Sequence, residues 1–253
     1  MNLIQGDCLE KMKDIPDKSV DMILCDLPYG RTNLEWDIVI DFETLWEQYE
    51  RIIKDNGAIL LFGVNPFSSD LINSNKRLFR YELIWEKSRI SNPFRNKKEP
   101  SKIHEQILVF YKNQPTYNPL KFKIDEKYVD KRNSINNAIN KGQFNGKMIR
   151  NKDTGERQPQ SIIFFNSHWS KGMHSTQKPV ALCEYLIKTY TNEGDLVLDN
   201  TMGSGTTGVA CINKNRKFIG IELDEKYFKI AEERISSAFT SNKKEISVHE
   251  KAV

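Results

Sequence analysis

Short apolar runs alternate with stretches of helical period along the first third of the chain. "NLIQGD" reads as a strand ending in an acid, and "CLEKMKDIP" as a short helix stopped by Pro16. "VDMILC" is almost uninterrupted in its apolar character and then stops at Asp26, Leu27, Pro28, Tyr29 and Gly30. That is the pattern of a buried parallel strand delivering an acid to its carboxyl end, where open α/β sheets place ligand chemistry. Helical period follows over "DFETLWEQYERIIKDNG", closed by Gly57, and then the strand "AILLFG". "NPFSSDLINSN" predicts a capped helix with Pro66 in its first turn. "RYELIWEK" and "HEQILVFYK" predict two more strands, antiparallel neighbours at one sheet edge.

From about Lys87 to Asn166 the periodicity breaks up, apart from the "HEQILVFYK" strand. The intervening stretches are rich in Asn, Lys, Gly and Pro and read as surface loops and a small insert. Order returns after His174: a helix over "KPVALCEYLIKTYTNEG" closed by Gly194, the strand "DLVLDN", a glycine loop entering a helix at "TMGSGTTGVACIN", and the strand "KFIGIEL". A final helix over "DEKYFKIAEERISSAF" takes Asp224 as its N-cap, and the tail from Thr240 reads as a frayed end. Strand and helix taking turns imply an α/β fold with a doubly wound, mostly parallel sheet of seven strands. The expected divisions are 1–86, an insert over 87–166 that carries the edge strand 104–112, 167–239, and a tail over 240–253.

Composition narrows this little: 253 residues with 28% charged and 10% aromatic side chains exclude a disordered or fibrous chain. No charged-then-apolar leader opens the sequence and no apolar run approaches a membrane span, so the expected location is the cytoplasm. Cys8, Cys25, Cys183 and Cys211 are scattered without the spacing of a zinc site and read as buried, reduced thiols; no metal site is expected. Charge changes the picture more. Lys76 to Gln160 holds 20 Lys and Arg against 9 Asp and Glu, so this stretch is at +11 and the remainder at −7. Interleaved with Tyr, Phe, Asn and Gln, it suits a polyanion with readable bases, because cations neutralise phosphates while amides and Arg address base edges.

"LVLDNTMGSGTTGVA" places Gly203 and Gly205 after a strand and before a helix, and 19 residues beyond Gly203 the next strand ends in Glu222, where an acid takes ribose hydroxyls. This points to a cofactor containing a nucleoside. With Gly208, the loop formally matches the dinucleotide fingerprint, so NAD and an oxidoreductase stay open on the pattern alone. Asp199 stands against NAD: a carboxylate ahead of the glycines repels a pyrophosphate but pairs with a cationic amino group, as S-adenosylmethionine carries.

The two signals together resemble the β class of DNA amino-methyltransferases, which methylate an exocyclic base nitrogen. Asp26-Leu27-Pro28-Tyr29 corresponds to that family's four-residue catalytic signature, and Asp199 through Gly205 to its glycine motif. "HSTQKPVAL" resembles the segment that contacts cofactor ahead of the glycine strand. The resemblance covers nearly the whole chain, with the catalytic half first, the basic target-recognition insert second and the cofactor half last. It implies a Rossmann-like fold, circularly permuted so that the last helix would feed the strand "NLIQGD". Leu27 departs from the family by replacing a proline, but the family uses that residue's carbonyl, which Leu retains.

The resemblance implies S-adenosylmethionine as cofactor and double-stranded DNA as partner, with methyl transfer to adenine N6, since Asp rather than Ser opens the signature. Cytosine N4, an RNA substrate and a binding-only protein on the same fold are the alternatives. A homodimer and a partner restriction endonuclease stay open. Asp26 and the Leu27 carbonyl would grip the amine, and Tyr29 would stack on the flipped base. Asp199, Gly203 and Gly205 would line the methionine end of the cofactor, Glu222 its ribose and Asp7 its adenine. Thr176, Gln177 and Lys178 would complete that wall, with Asp26, Cys8, Thr201, Ser204, Thr206 and Leu223 alongside. Arg89, Arg95, Lys97 and Lys98 are the candidate DNA contacts, and His168 and Trp169 lie in a loop with a candidate role against DNA or cofactor. Cytosine C5 chemistry would need a thiolate; Cys25 points by alternation away from Asp26, and no Pro-Cys pair is present.

Overall fold

Runs of aliphatic residues bounded by Gly, Pro and acids form the strands, and helices fill the connections between them. The computed structural model describes residues 1–30, 37–91, 97–129, 153–167 and 177–250. In chain order these form β1 (Asn2–Gln5), α1 (Cys8–Met12), β2 (Val20–Cys25), α2 (Phe42–Ile52), β3 (Ile53–Gly63), α3 (Phe67–Ser74), β4 (Phe79–Lys87) and β5 (His104–Phe110). There follow β6 (Phe122–Lys123), β7 (Glu156–Arg157), β8 (Ile162–Phe165), α4 (Val180–Tyr190), β9 (Leu196–Asp199), α5 (Thr206–Asn213), β10 (Lys217–Glu222) and α6 (Glu225–Glu250).

The main sheet runs β1-β10-β9-β2-β3-β5-β4-β8, which makes eight strands where the sequence pattern predicts seven. The added strand is β8, four residues in the stretch read as insert. It pairs in parallel with β4, from Ile84 opposite Ile162 to Lys87 opposite Phe165, so the antiparallel β4 and β5 do not form the edge as expected. Among the described strands of this sheet only β5 runs against the others, through antiparallel pairing to β3 and β4. The two halves of the chain meet at β2 and β9, where Met22 lies opposite Val197 and Ile23 opposite Leu198. From this junction the chain winds outward in both directions, the topological switch point at which open α/β sheets form a crevice beyond their carboxyl ends.

Alternation along the strands divides the core between two faces. Met22, Leu24, Leu60, Ile107 and Val109 pack against Leu182, Leu186, Ala210 and Ile235 of α4, α5 and α6. Ile23, Cys25, Ile59, Leu61, Leu108 and Phe110 pack against Leu45, Tyr49, Phe67 and Leu71 of α2 and α3. Gly205, at φ +79°, opens α5; a Cβ there would lie 2.9 Å from the Ala231 and Ile235 side chains, so only glycine lets α6 close on this turn.

Local differences have local causes. Helix α2 ends at Ile52, and the residues up to Gly57 begin β3, with a register shift between Val20 and Met22. Helix α6 continues through the stretch expected to fray, because no Gly or Pro stops it and Asn242 Nδ2 donates to Ile212 O at 2.8 Å. Asp224 caps it as expected, accepting from Tyr227 N at 2.9 Å. The chain forms two compact units, Met1–Asn118 with Ser161–Val253, and Pro119–Gln160. Residues 87–118 and 161–166 thus belong to the sheet-bearing unit, since β5 and β8 are sheet strands. The smaller unit carries β6 and β7 as an antiparallel pair and a 3-10 turn over Glu126–Tyr128. Among the described residues no helix is long and apolar enough to cross a membrane.

Candidate active site

A cavity of about 510 Å³ opens at the carboxyl ends of the strands. The loop after β2 supplies Asp26, Leu27, Pro28 and Tyr29 to its wall, and the end of β9 with the following loop supplies Asp199, Thr201, Gly203 and Ser204. Thr206 of α5, Glu222 and Leu223 at the end of β10, Asp7 and Cys8 after β1, and Gln177 and Lys178 before α4 complete the predicted set found there. Gly205 is not in this wall; it faces α6 instead. Arg89, Lys97 and Lys98 are exposed and lie outside the wall. Thr176, Arg95, His168 and Trp169 fall outside the described residues.

Asp26 is held from both sides. Tyr29 Oη donates to its Oδ1 at 2.7 Å, and the Lys178 ammonium contacts its Oδ2. Burial, then the Asp26 charge, push the Tyr29 hydroxyl well above its ordinary range, so it donates as a neutral phenol. Asp37, which sequence reading missed, accepts from Tyr29 N at 2.8 Å and Gly30 N at 2.9 Å, and so shapes the turn. The Tyr29 ring rests 4.7 Å from that of Phe67. Thr201 Oγ1 donates to Asp26 O at 3.1 Å, tying the loop after β2 to the loop after β9. The Leu27 side chain is buried in the core, on the α2 and α3 face.

Asp199 is buried; it accepts from Thr207 Oγ1 at 2.6 Å and Thr201 N at 3.2 Å. Burial pushes its carboxyl up to about 7, against these hydrogen bonds. A buried acid raised in this way offers a site for a cationic group. Glu222 accepts from Gly203 N at 2.8 Å and Asp224 N at 2.9 Å, and burial raises its carboxyl too. Asp7 both lines the cavity and caps α1, accepting from Leu9 N at 2.9 Å and Glu10 N at 3.1 Å. A Cβ at Gly203 would meet nothing within 4 Å, so the backbone there is open to close approach. Ser204 Oγ donates to Gln177 Oε1 at 3.3 Å, and Arg234 of α6 donates to Ser204 Oγ at 2.8 Å.

Cys25 turns to the opposite side of β2, where its thiol donates to Asn200 Oδ1 at 2.8 Å beside Tyr49 Oη at 2.6 Å from the same oxygen. Burial, then Asp199, push this thiol well above its ordinary range, the reverse of what a nucleophilic thiolate needs.

Residues 20–233 match the family model described as "DNA methylase". The chain belongs to the DNA methylase family. This methylase is 30% identical over 251 residues to the Type II methyltransferase M.HpaI of Haemophilus parainfluenzae, covering 94% of this chain and 74% of that one. It is also 30% identical to the DNA adenine methyltransferase YhdJ of Escherichia coli (strain K12), covering 93% and 83%. The solved complex of M1.HpyAVI with SAM matches the methylase with a TM-score of 0.62 and 27% identity, over 92% of this chain and 98% of that one.

Two charged wall residues, Glu105 and Asp37, escaped sequence reading. Glu105 alternates with Ile107 and Val109, so β5 carries it on an apolar face where a charge has no reason to be unless paired. Asp37 offered only an acid in a loop.

Proposed function

We propose that the protein transfers a methyl group from S-adenosylmethionine to the N6 amino group of adenine in double-stranded DNA, after the base leaves the helical stack. The observation that carries this reading is the meeting of Asp26 and Asp199 in one cavity, delivered by adjacent parallel strands. Asp199 suits the cofactor's ammonium, Glu222 its ribose hydroxyls, and the open backbone at Gly203 its methionine chain. Asp7, Cys8 and Leu223 line the part of the wall assigned to its adenine. When bound, the cofactor supplies an electrophilic methyl group on sulfonium.

An exocyclic amine attacks poorly because its lone pair is delocalised into the ring. The Asp26 carboxylate and the Leu27 carbonyl, both acceptors, grip its two hydrogens and draw the nitrogen toward tetrahedral geometry, which takes the lone pair out of conjugation with the ring. Asp26 takes the proton that leaves. Tyr29, with one face on Phe67, offers the other to the flipped base. Exposed Arg89, Lys97 and Lys98 are assigned to the DNA backbone, in keeping with the +11 stretch that contains them. The catalytic half preceding the cofactor half, with β1 paired to β10, supports reading the chain as circularly permuted.

Incubation with methyl-labelled S-adenosylmethionine and unmethylated bacterial genomic DNA, followed by nucleoside mass spectrometry, tests this. Labelled N6-methyldeoxyadenosine is expected. N4-methyldeoxycytidine would overturn the choice of base, and absence of label would overturn methyl transfer to DNA.

Asp199 also makes cofactor binding depend on pH. Its carboxyl is raised in the folded protein, so its contribution to stability without cofactor is fully present below the ordinary value of 3.8 and is lost as pH rises toward about 7. Cofactor binding has the opposite sign, because only the ionised carboxylate pairs with an ammonium. Calorimetric affinity for S-adenosylmethionine is expected to rise about fivefold between pH 6 and 7, following the ionised fraction.

A further inference from the structure

A line of four charges, three of them in the cavity wall and the fourth, Lys87, behind it, is not used in full by the chemistry above. Lys178 is only 9% exposed, and its ammonium sits between two carboxylates, in contact with Asp26 Oδ2 and 3.4 Å from Glu105 Oε2. Glu105 Oε1 is in turn paired with Lys87, whose ammonium reaches Ser91 Oγ at 3.1 Å and lies 4.9 Å from the centre of the Trp85 ring. The line crosses the sheet strand by strand. Asp26 follows β2, the Phe62 ring of β3 lies 5.1 Å from the Lys178 ammonium, Glu105 is on β5 and Lys87 ends β4.

Burying such ions is costly unless each is paired, and an apolar cluster of similar volume would often be at least as stable. A stability role alone therefore explains the arrangement poorly. Its charges are fixed by mutual contact. Burial opposes the charge on Lys178, but Asp26 and Glu105 outweigh it and raise the ammonium above its ordinary range. Burial likewise opposes the charge on Glu105, but Lys178 and Lys87 together hold it below the ordinary carboxylate range.

We infer that Lys178 and Glu105 are positioning residues for methyl transfer: Lys178 holds Asp26 as an oriented carboxylate facing the target amine, and Glu105, anchored by Lys87, limits how much of the Lys178 charge Asp26 feels. This rests on the proposed methyl transfer. Each Asp26 oxygen accepts one bond from the protein, from Tyr29 or from Lys178, and keeps a lone pair for an N–H. In the transfer, the amine nitrogen forms its bond to the methyl carbon as the carbon–sulfur bond breaks. The electron pair of that bond stays on sulfur, and the displaced N–H proton passes to Asp26 and then to water. Because Glu105 also faces the Lys178 ammonium, Asp26 is not its sole counter-charge. The other groups facing this line are Tyr29, with Asp37 beneath its loop, Asp199 from β9 and Cys183 from α4. The Cys183 thiol, pushed up to about 12 by burial, stays neutral throughout. Asp199 is held ionised by saturating cofactor.

The test is the pH profile of single-turnover methyl transfer to unmethylated genomic DNA at saturating S-adenosylmethionine. Lys178→Met is expected to move the acidic limb of the profile upward by about one pH unit or more, the effect of losing a charge within contact distance. Glu105→Gln is expected to move it downward and to slow transfer at neutral pH. Lys178→Arg, which keeps the charge, is expected to return the limb close to its natural position. Opposite displacements are the signature, because a merely structural role moves both limbs the same way or neither. If Lys178→Met fails to fold, the isosteric Glu105→Gln carries the test by itself. An unmoved or upward limb in Glu105→Gln overturns the inference while leaving the methyl-transfer reading standing. Absence of transfer by the unaltered protein overturns that reading and the inference with it.

Discussion

Asp26→Ala is expected to lower methyl transfer to DNA by about 10³-fold or more while leaving the affinity for S-adenosylmethionine within a few-fold of that of the unaltered protein. The magnitude combines loss of an acceptor aimed at charge that develops in the transition state, about 10²–10³, with loss of the proton acceptor, about 10²–10⁴, the two overlapping because one carboxylate does both. Cofactor binding survives because the Asp26 carboxylate is tied to Tyr29 and Lys178, whereas Asp199 and Glu222, assigned to the cofactor's ammonium and ribose, stand on β9 and β10. Lys178 is not stranded by the change, since Glu105 remains 3.4 Å away. Single-turnover rates with labelled cofactor and calorimetric binding, measured on the same preparation, check both halves. Equal loss of rate and affinity would refute the assigned role.

Asp199→Asn is expected to weaken S-adenosylmethionine by about 100-fold, in the range for removing one partner of a buried, hydrogen-bonded charge pair. The substitution keeps the shape of the side chain and an oxygen to accept from Thr201 N, while its amide nitrogen can donate to Thr207 Oγ1, a hydroxyl that also accepts. Stability without cofactor moves the other way. A carboxylate raised to about 7 is held in the fold at a cost above neutral pH, so the amide is expected to raise the melting temperature at pH 8. Melting curves and binding isotherms at pH 8 therefore shift in opposite directions. A fall in both would mean that Asp199 supports the loop rather than the ligand.

How much was legible from the residues varied with the kind of element. Strands buried on both faces write themselves as continuous apolar runs, and β2, β3, β9 and β10 all follow that rule. Strand β8 is also an apolar run, Ile162 to Phe165, but it is only four residues long, exposes Ile162 and Phe164, lies amid Asn- and Gln-rich sequence, and its pairing to β4 is a long-range event. The end of α2 was misjudged because "IKDNG" prolongs a helical pattern up to a natural stop, whereas the shifted register between β2 and β3 takes those residues into a strand. Helix α6 outran its expected end for the converse reason: a polar stretch without Gly or Pro continues a helix readily.

The sequence by itself determined the pieces of chemistry and where each lies on its own element: an acid ending β2, a glycine turn entering α5, an acid ending β10. Those are local properties, set by strand and helix periods and by the residues that interrupt them. Only the tertiary structure decided that β2 and β9 are neighbours, which brings Cys25 against Asn200 from 175 residues away and Asp26 into one cavity with Asp199. It also placed Lys178 between Asp26 and Glu105, groups from three separate parts of the chain. Strand order and the crossing of loops over the sheet follow from how two apolar faces are covered at once, a property of the whole packed core that no local pattern contains.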